Sequence, residues 1–430
     1  MGRRFDPDRA HLIRFELEDK FMGLSEIRPC VVGLGKLGLP LAAVIAAEGY
    51  KTYGLDTSAA HVSDLKKGAF ESPEPGLISL LEEFKPNLNF VTSFNDVKDC
   101  DIYFLIVPTP SMVDGKFDNK YLVTAILALL DSWDNLSGQK TIVIVSTVMP
   151  GTCAEIFCPI INEWESRTNN NVNVRLLYAP EFIALGTVIH NLRNPDMTLI
   201  GCDSSTDAEV FLQIMEKVTK GKPATQVLSL TEAEIVKIMV NCFVTMKISF
   251  ANFIGEISSV MPGTDKYKIS NALGLDSRIG SKYLRPGVGF AGPCFPRDNK
   301  ALIAFSAENK LRASLSLATD EINQRQPENI LEMLLRNFPS VKKVAIAGIT
   351  YKPYSKVIEE SQTVMLAKLC QDRDIEVKLF DPLIDETVLP EFNFAASVIE
   401  LLLSDVVIVS KEFEFLISEI KDQEFNLLVV

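Results

Sequence analysis

Apolar positions come in two kinds of run along this chain. Between Pro29 and Gly201 the runs are short and almost unbroken, and helical segments with one apolar face stand between them. PCVVGLGKLGLPLAAVIAAEGYKTYGLD reads as strand, glycine turn, helix, strand. Helices are predicted near residues 59–67 and 77–84, and strands near residues 89–92 and 197–201. DIYFLIVPTPS, KTIVIVSTVMPGT and VRLLYAP read as strands, and the continuous apolar stretch in the first two is typical of parallel strands buried on both faces. The pattern then lengthens. Residues 232–256 are apolar almost all round, as in a buried central helix, and more helix is predicted to residue 273 and over residues 299–338. Alternation restarts with VKKVAIAGITYKP, a helix near residues 361–373, then EVKLFDP, SDVVIVS and FNLLVV. The expected fold is α/β, with two Rossmann-like parallel-sheet domains joined by a long central helix and a helical dimerisation domain. Its expected parts are an N-terminal arm (1–27), a dinucleotide-binding domain (28–208), a central helical domain with a cysteine loop (209–325) and a C-terminal nucleotide-binding domain (326–430).

Composition narrows the classes. The 430 residues are 47% hydrophobic and 23% charged, which suits a globular chain with sizeable cores. A net charge of −13 argues against a general nucleic-acid surface, so an anionic ligand must meet local cation clusters. No signal-peptide pattern opens the chain, and apolar runs such as residues 39–47 are short for a bilayer, so a cytoplasmic protein without a membrane partner is expected. The eight cysteines lack paired zinc-type spacing, and no metal site is expected. Three histidines leave acid/base work mainly to lysine and carboxylates.

Chemistry gathers where strands end. Gly33, Gly35 and Gly38 have the G-x-G-x-x-G spacing between a strand and a helix, with Leu37 in the turn and Asp56 closing the next strand. That arrangement lets a pyrophosphate approach a helix N-terminus while the acid accepts from a ribose diol, so NAD is favoured over NADP. Thr109 and Thr147 close the next two apolar strands on the ligand side of such a sheet; either could instead cap a helix. Glu181 follows VRLLYAP at the same edge.

PGVGFAGPCFPRD places Cys294 in a Gly/Pro-rich loop. No acid occurs from Ser277 to Arg297, whereas Arg278, Lys282, Arg285 and Arg297 would favour both a polyanion and a thiolate. On the central helix Glu234, Lys237, Asn241 and Asn252 fall roughly on one face at ~100° per residue, which a bland core would avoid; an interhelical polar network is the alternative. A cysteine beside a nicotinamide allows an aldehyde to be captured as a thiohemiacetal, oxidised to a thioester and hydrolysed.

GLGKLGLP, VPTPS, STVMPGT, APEFIALGT, EIVKIMVNCFVTMKISFAN, DSRIGSKYL, GFAGPCFPRD and GITYKP occur in one order, and at these residues the chain resembles the UDP-glucose/GDP-mannose dehydrogenase family from Pro29 to Val430. The resemblance implies NAD-dependent four-electron oxidation of a nucleotide sugar, most closely UDP-glucose, at carbon six. It implies Cys294 as nucleophile, Lys237, Asn241 and Asp298 as water-positioning and oxyanion-stabilising groups, and Glu181 and Thr147 for thioester hydrolysis and water positioning. Gly33, Gly35, Leu37, Gly38, Asp56, Thr109, Thr147 and Arg297 would hold NAD. Glu181, Phe182, Ile183, Lys237, Asn241, Arg278, Tyr283, Gly289, Phe290 and Lys352 would hold the sugar nucleotide, with Arg278 crossing the interface of a homodimer. The chain departs from the family pattern at Ala291, Pro293, Arg297, Lys356, Val357 and Glu359. A UDP-N-acetylhexosamine dehydrogenase, a two-electron hydroxyacid dehydrogenase and an inactive nucleotide-binding regulator are the alternatives.

Overall fold

The computed structural model describes residues 27–133, 136–168 and 171–430; the expected N-terminal arm, but for its last residue, lies outside them. The early apolar runs form β1 (Pro29–Val32), β2 (Thr52–Leu55), β3 (Leu88–Val91), β4 (Ile102–Leu105), β5 (Ser137–Ile144), β6 (Asn171–Tyr178) and β7 (Met197–Gly201), joined by β8 (Ala224–Leu228). These lie in one sheet in the order β3-β2-β1-β4-β5-β6-β7-β8. Strands from β3 to β6 are mutually parallel, β7 turns antiparallel to β6, and β8 pairs parallel with β7. The strand order reverses between β1 and β4, and ligands of such sheets bind in the crevice beyond the carboxyl ends there. Period-two alternation explains why the runs are unbroken. Val31, Phe104 and Val143 enter the core on one face, while Val32, Tyr103 and Ile144 enter the core on the other.

The second sheet holds β9 (Lys343–Ala347), β10 (Glu376–Phe380), β11 (Asn393–Phe394), β12 (Val406–Val409) and β13 (Leu427–Val429), in the order β11-β10-β9-β12-β13, all parallel. Its β9 turn repeats the β1 turn. Gly33 N–H donates to the Leu55 carbonyl at 2.8 Å and Gly348 N–H to the Phe380 carbonyl at 2.9 Å. Asp56 accepts from Leu34 and Ser58 N–H at 2.9 Å each, as Asp381 does from Ile349 at 3.1 Å and Leu383 at 3.0 Å. Thereafter the two diverge. At Gly348 the space a side chain would need is filled by the Phe413 ring, and no helix begins until Gln362.

Between the sheets runs the long helix Leu230–Val260, started by a capping box in which Ser229 and Glu232 satisfy each other's backbone N–H groups. Within one chain this helix is covered on one side only. Ile235, Met239, Phe243, Phe250, Phe253 and Ile257 form an exposed stripe at helical spacing. By length and composition the helix could cross a membrane. In this fold, though, its buried face carries Glu234, Lys237, Asn241 and Asn252, all partnered by protein groups. The helix expected over 299–338 is two helices, Phe295–Glu308 and Ser314–Asn337. Lys310, at φ +58°, takes the left-handed conformation that separates them.

Candidate active site

Each glycine of the first turn meets a different constraint. A Cβ on Gly33 would overlap the Ile106 carbonyl, and one on Gly38 would overlap the Gly33 carbonyl, whereas nothing lies within 4 Å of a Cβ on Gly35. The first and third glycines therefore allow close packing of turn, neighbouring strand and helix, and the second leaves room for a ligand's pyrophosphate. Asp56, tied to Leu34 and Ser58 N–H groups, is fixed beside that space. These residues fit NAD. Beyond β4 and β5, Thr109 donates its hydroxyl to the Thr147 carbonyl at 2.8 Å, so the two threonines adjoin and neither starts a helix.

Cys294 stands at the N-cap of the Phe295–Glu308 helix, with Pro296 in the first turn. Asp298, fully buried in the same turn, donates its N–H to the Cys294 carbonyl at 2.8 Å and accepts from the Asn241 amide at 2.6 Å. Arg297 reaches the Asp298 carboxylate at 3.4 Å and the Thr109 carbonyl at 3.4 Å, and its guanidinium lies 4.6 Å from the centre of the Phe117 ring. The cysteine helix is thereby linked to the NAD edge. Lys237 donates to the Glu181 carbonyl at 2.8 Å and sits 4.6 Å from the centre of the Phe182 ring. Long helix, cysteine helix and β6 edge thus meet in one place.

The electrostatics follow from that meeting. Burial pushes Glu181 up to about 7, with the Lys237 ammonium opposing. Burial lowers Lys237, while Asp298, Cys294 and Glu181 favour its charged form. Cys294 is open as a residue, yet its sulfur is crowded enough that desolvation raises the thiol; Asp298 and Glu359 add to the rise, and Arg297 and Lys237 resist it. The expected cation field around the thiol is corrected accordingly. Arg278 pairs with Asp276, which lies just outside the acid-free stretch, Lys282 reaches Asp196, and Arg285 covers the Tyr267 ring.

The cysteine loop is clamped by amides, of which the sequence singled out Asn252 but not Asn323 or Gln326. Gly287 N–H donates to Asn252 at 2.8 Å and its carbonyl accepts from Gln326 at 2.5 Å; Asn323 takes both the N–H and the carbonyl of Phe290, at 2.7 and 3.0 Å. A Cβ on Gly289 would overlap Asn323. Phe290 is buried, so its ring is packed and its backbone groups are taken. Ile183 packs into one core and Phe182 against the other. Tyr283 is exposed, in the left-handed conformation at φ +60°. Lys352 is lowered by burial, with Glu74 opposing, and Glu74 accepts from Gly186 and Ile189 N–H at 2.8 and 3.2 Å. Two residues of the C-terminal unit, Tyr351 and Glu359, also stand near Cys294. Of the buried helix face, Glu234 serves elsewhere, accepting from Gly151 and Cys153 N–H at 2.6 and 2.7 Å.

The profile described as "UDP-glucose/GDP-mannose dehydrogenase family, NAD binding domain" matches residues 27–219, and that family's central-domain profile matches residues 231–325. UDP-glucose 6-dehydrogenase AglM of Haloferax volcanii is 31% identical over 89% of this chain and 91% of its own length. UDP-glucose 6-dehydrogenase TuaD of Bacillus subtilis is 30% identical over 82% of this chain and 75% of its own. Among solved structures, a UDP-glucose dehydrogenase from Pyrobaculum islandicum superposes with a TM-score of 0.81 at 29% identity, covering 90% of each chain.

Proposed function

Because this chain belongs to the UDP-glucose/GDP-mannose dehydrogenase family and is an NAD-dependent nucleotide-sugar dehydrogenase, we propose that it oxidises carbon six of a UDP-hexose, UDP-glucose above all, through to the carboxylate by way of a thioester on Cys294. The observation that carries this reading is the convergence of Cys294, Lys237, Asn241, Asp298 and Glu181, drawn from three separate elements.

We assign the cofactor to the Gly33–Gly38 turn, Asp56 and the Thr109–Thr147 edge, with Arg297 joining that edge to the cysteine helix. NAD bound there supplies the hydride-accepting chemistry, once for the alcohol and once for the sulfur adduct of the aldehyde. The remaining work falls to the protein. Lys237, its ammonium destabilised by burial, accepts a proton from the substrate hydroxyl or the thiol. The sulfur of Cys294 bonds to the aldehyde carbon, the carbonyl pair moves to oxygen, and the thiol proton leaves to Lys237 or solvent. Asn241, one of whose amide hydrogens is spent on Asp298, and Lys237 face the resulting oxyanion. Glu181, ionising near 7, takes a proton from the water that attacks the thioester; the carbon–sulfur bond then breaks and the thiol is restored. Lys352, beside the second sheet, is assigned to the nucleotide diphosphate. The exposed stripe of the long helix is assigned to a second copy of this chain, and Arg278, solvent-facing here, to that copy's substrate.

Substrate identity is tested by incubating the protein and NAD with UDP-glucose, UDP-N-acetylglucosamine, UDP-N-acetylmannosamine and GDP-mannose and following NADH. UDP-glucose giving the highest kcat/KM is the expected result. Turnover confined to an acetylated or GDP-linked sugar overturns the substrate assignment.

A further inference from the structure

The second sheet contributes more to the reacting centre than a nucleotide contact. Tyr351 follows β9, and its N–H donates to the Val357 carbonyl at 3.0 Å, closing the loop that carries Lys352. Its ring presses on the cysteine loop. Gly292 has φ +84°, and a Cβ there would lie 2.5 Å from the Tyr351 ring, so the ring occupies the place of a side chain two residues before Cys294. Gly292 N–H is itself held by the Glu359 carbonyl of the same C-terminal segment at 2.9 Å. On its other side the phenol lies near the backbone of Leu185, four residues past Glu181. The next residues continue that contact, with Gly186 against the backbone of Pro353 and Tyr354. The phenol is therefore wedged between the loop of Cys294 and the loop of Glu181.

Its protonation state is settled by this position. Burial, with the charge of Cys294 adding to it, pushes the Tyr351 phenol up to about 12, so it keeps its proton through the neutral range. No acceptor for the O–H is found among the described residues. The donors already assigned at this place are partly committed, Lys237 to the Glu181 carbonyl and Asn241 to Asp298.

We propose that Tyr351 is a further catalytic residue, its phenol O–H donating a hydrogen bond to the carbon-six oxygen while that carbon is bonded to Cys294. The inference rests on the thioester route proposed above. It makes the C-terminal unit a direct participant in the chemistry, because the donor reaches the centre only when the loop carrying Lys352 packs on the cysteine loop. A nucleotide held at Lys352 and the oxyanion donor then arrive together.

The test uses the full-length protein with Tyr351→Phe, and with trifluorotyrosine at position 351, whose phenol ionises near neutral pH. For Tyr351→Phe, kcat falls about a hundredfold to a thousandfold, the loss of one oxyanion donor, with KM for the nucleotide sugar, two NADH per sugar and the pH profile of Cys294 alkylation by iodoacetamide retained. With trifluorotyrosine, which keeps the ring and its oxygen, kcat acquires a loss on the alkaline side of neutrality. A wild-type kcat and pH profile in both variants overturns the proposal and gives Tyr351 a packing role. A shifted alkylation profile in Tyr351→Phe also overturns it, placing the hydrogen bond on the sulfur. Failure of the underlying route looks different, because the unmodified protein would then release one NADH per sugar.

Discussion

Cys294 sits in opposed fields. Desolvation, Asp298 and Glu359 raise its thiol, Arg297 and Lys237 lower it, and the rise wins. Glu359→Gln removes one of the raising charges while sparing the backbone carbonyl that holds Gly292. The variant is expected to be alkylated at Cys294 severalfold faster than the unmodified protein at neutral pH, and an equal or slower rate contradicts this field. Glu181 gives a second residue-level prediction. Its carboxyl moves from 4.5 to about 7 on folding, so the folded protein binds the proton more tightly than the unfolded chain. The stability this supplies is complete below the unfolded value and is lost as pH rises through the folded one. Glu181→Gln, which mimics the protonated form, should therefore gain Tm over the unmodified protein increasingly between about pH 5 and pH 8; a pH-independent difference contradicts an ionising buried carboxyl. Sequence alone singled out Cys294, Lys237 and Asn241 because a thiol in a Gly/Pro loop and polar groups on an apolar helix are anomalies that invite a chemical reason, and Glu181 because it closes a strand at the ligand edge; Asp298 entered only through resemblance to the family. Tyr351 raises no such anomaly, and Glu359 stood out only as a departure from the family pattern; the proximity of both to Cys294 is made by tertiary packing.

The β1 turn shows how a motif divides its labour at the scale of an element. Gly35→Ala meets no protein atom within 4 Å and should fold with an unchanged Tm while losing NAD affinity by an order of magnitude or more, as calorimetry would read it. Gly38→Ala overlaps the Gly33 carbonyl and should cost ~1–3 kcal/mol of stability, read from denaturant unfolding. The reverse ranking contradicts the division. Strands β1, β4 and β5 were legible because burial on both faces leaves unbroken apolar runs, and the β1 turn because its glycines are sterically required. β8 was not, since Ala224, Thr225 and Gln226 are exposed at the sheet edge and leave little apolar signal. The break at Lys310 lacks proline or glycine. The all-round apolar character of the long helix pointed to dimerisation, but not to which face stays open, since an apolar residue covered by its own chain and one awaiting another chain read alike.

At the scale of the molecule, that stripe and the junction of two sheets define what must be assembled. Phe243 is 59% and Phe250 50% exposed on the same helix that carries Lys237 and Asn241 on its buried side. Phe243→Glu with Phe250→Glu should convert a dimer to a monomer in analytical ultracentrifugation and reduce turnover, because Arg278 would no longer reach a second substrate; an unchanged sedimentation coefficient contradicts the assigned interface. Joining a dinucleotide crevice to a second nucleotide-type sheet through one cysteine helix makes sense for a reaction that retains its substrate between two oxidations. The direct test of that claim counts NADH released per nucleotide sugar consumed, with limiting sugar, excess NAD and the sugar the protein oxidises fastest. Two NADH and a carboxylate product are predicted, and one NADH with an alcohol converted only to the carbonyl stage would contradict the thioester route.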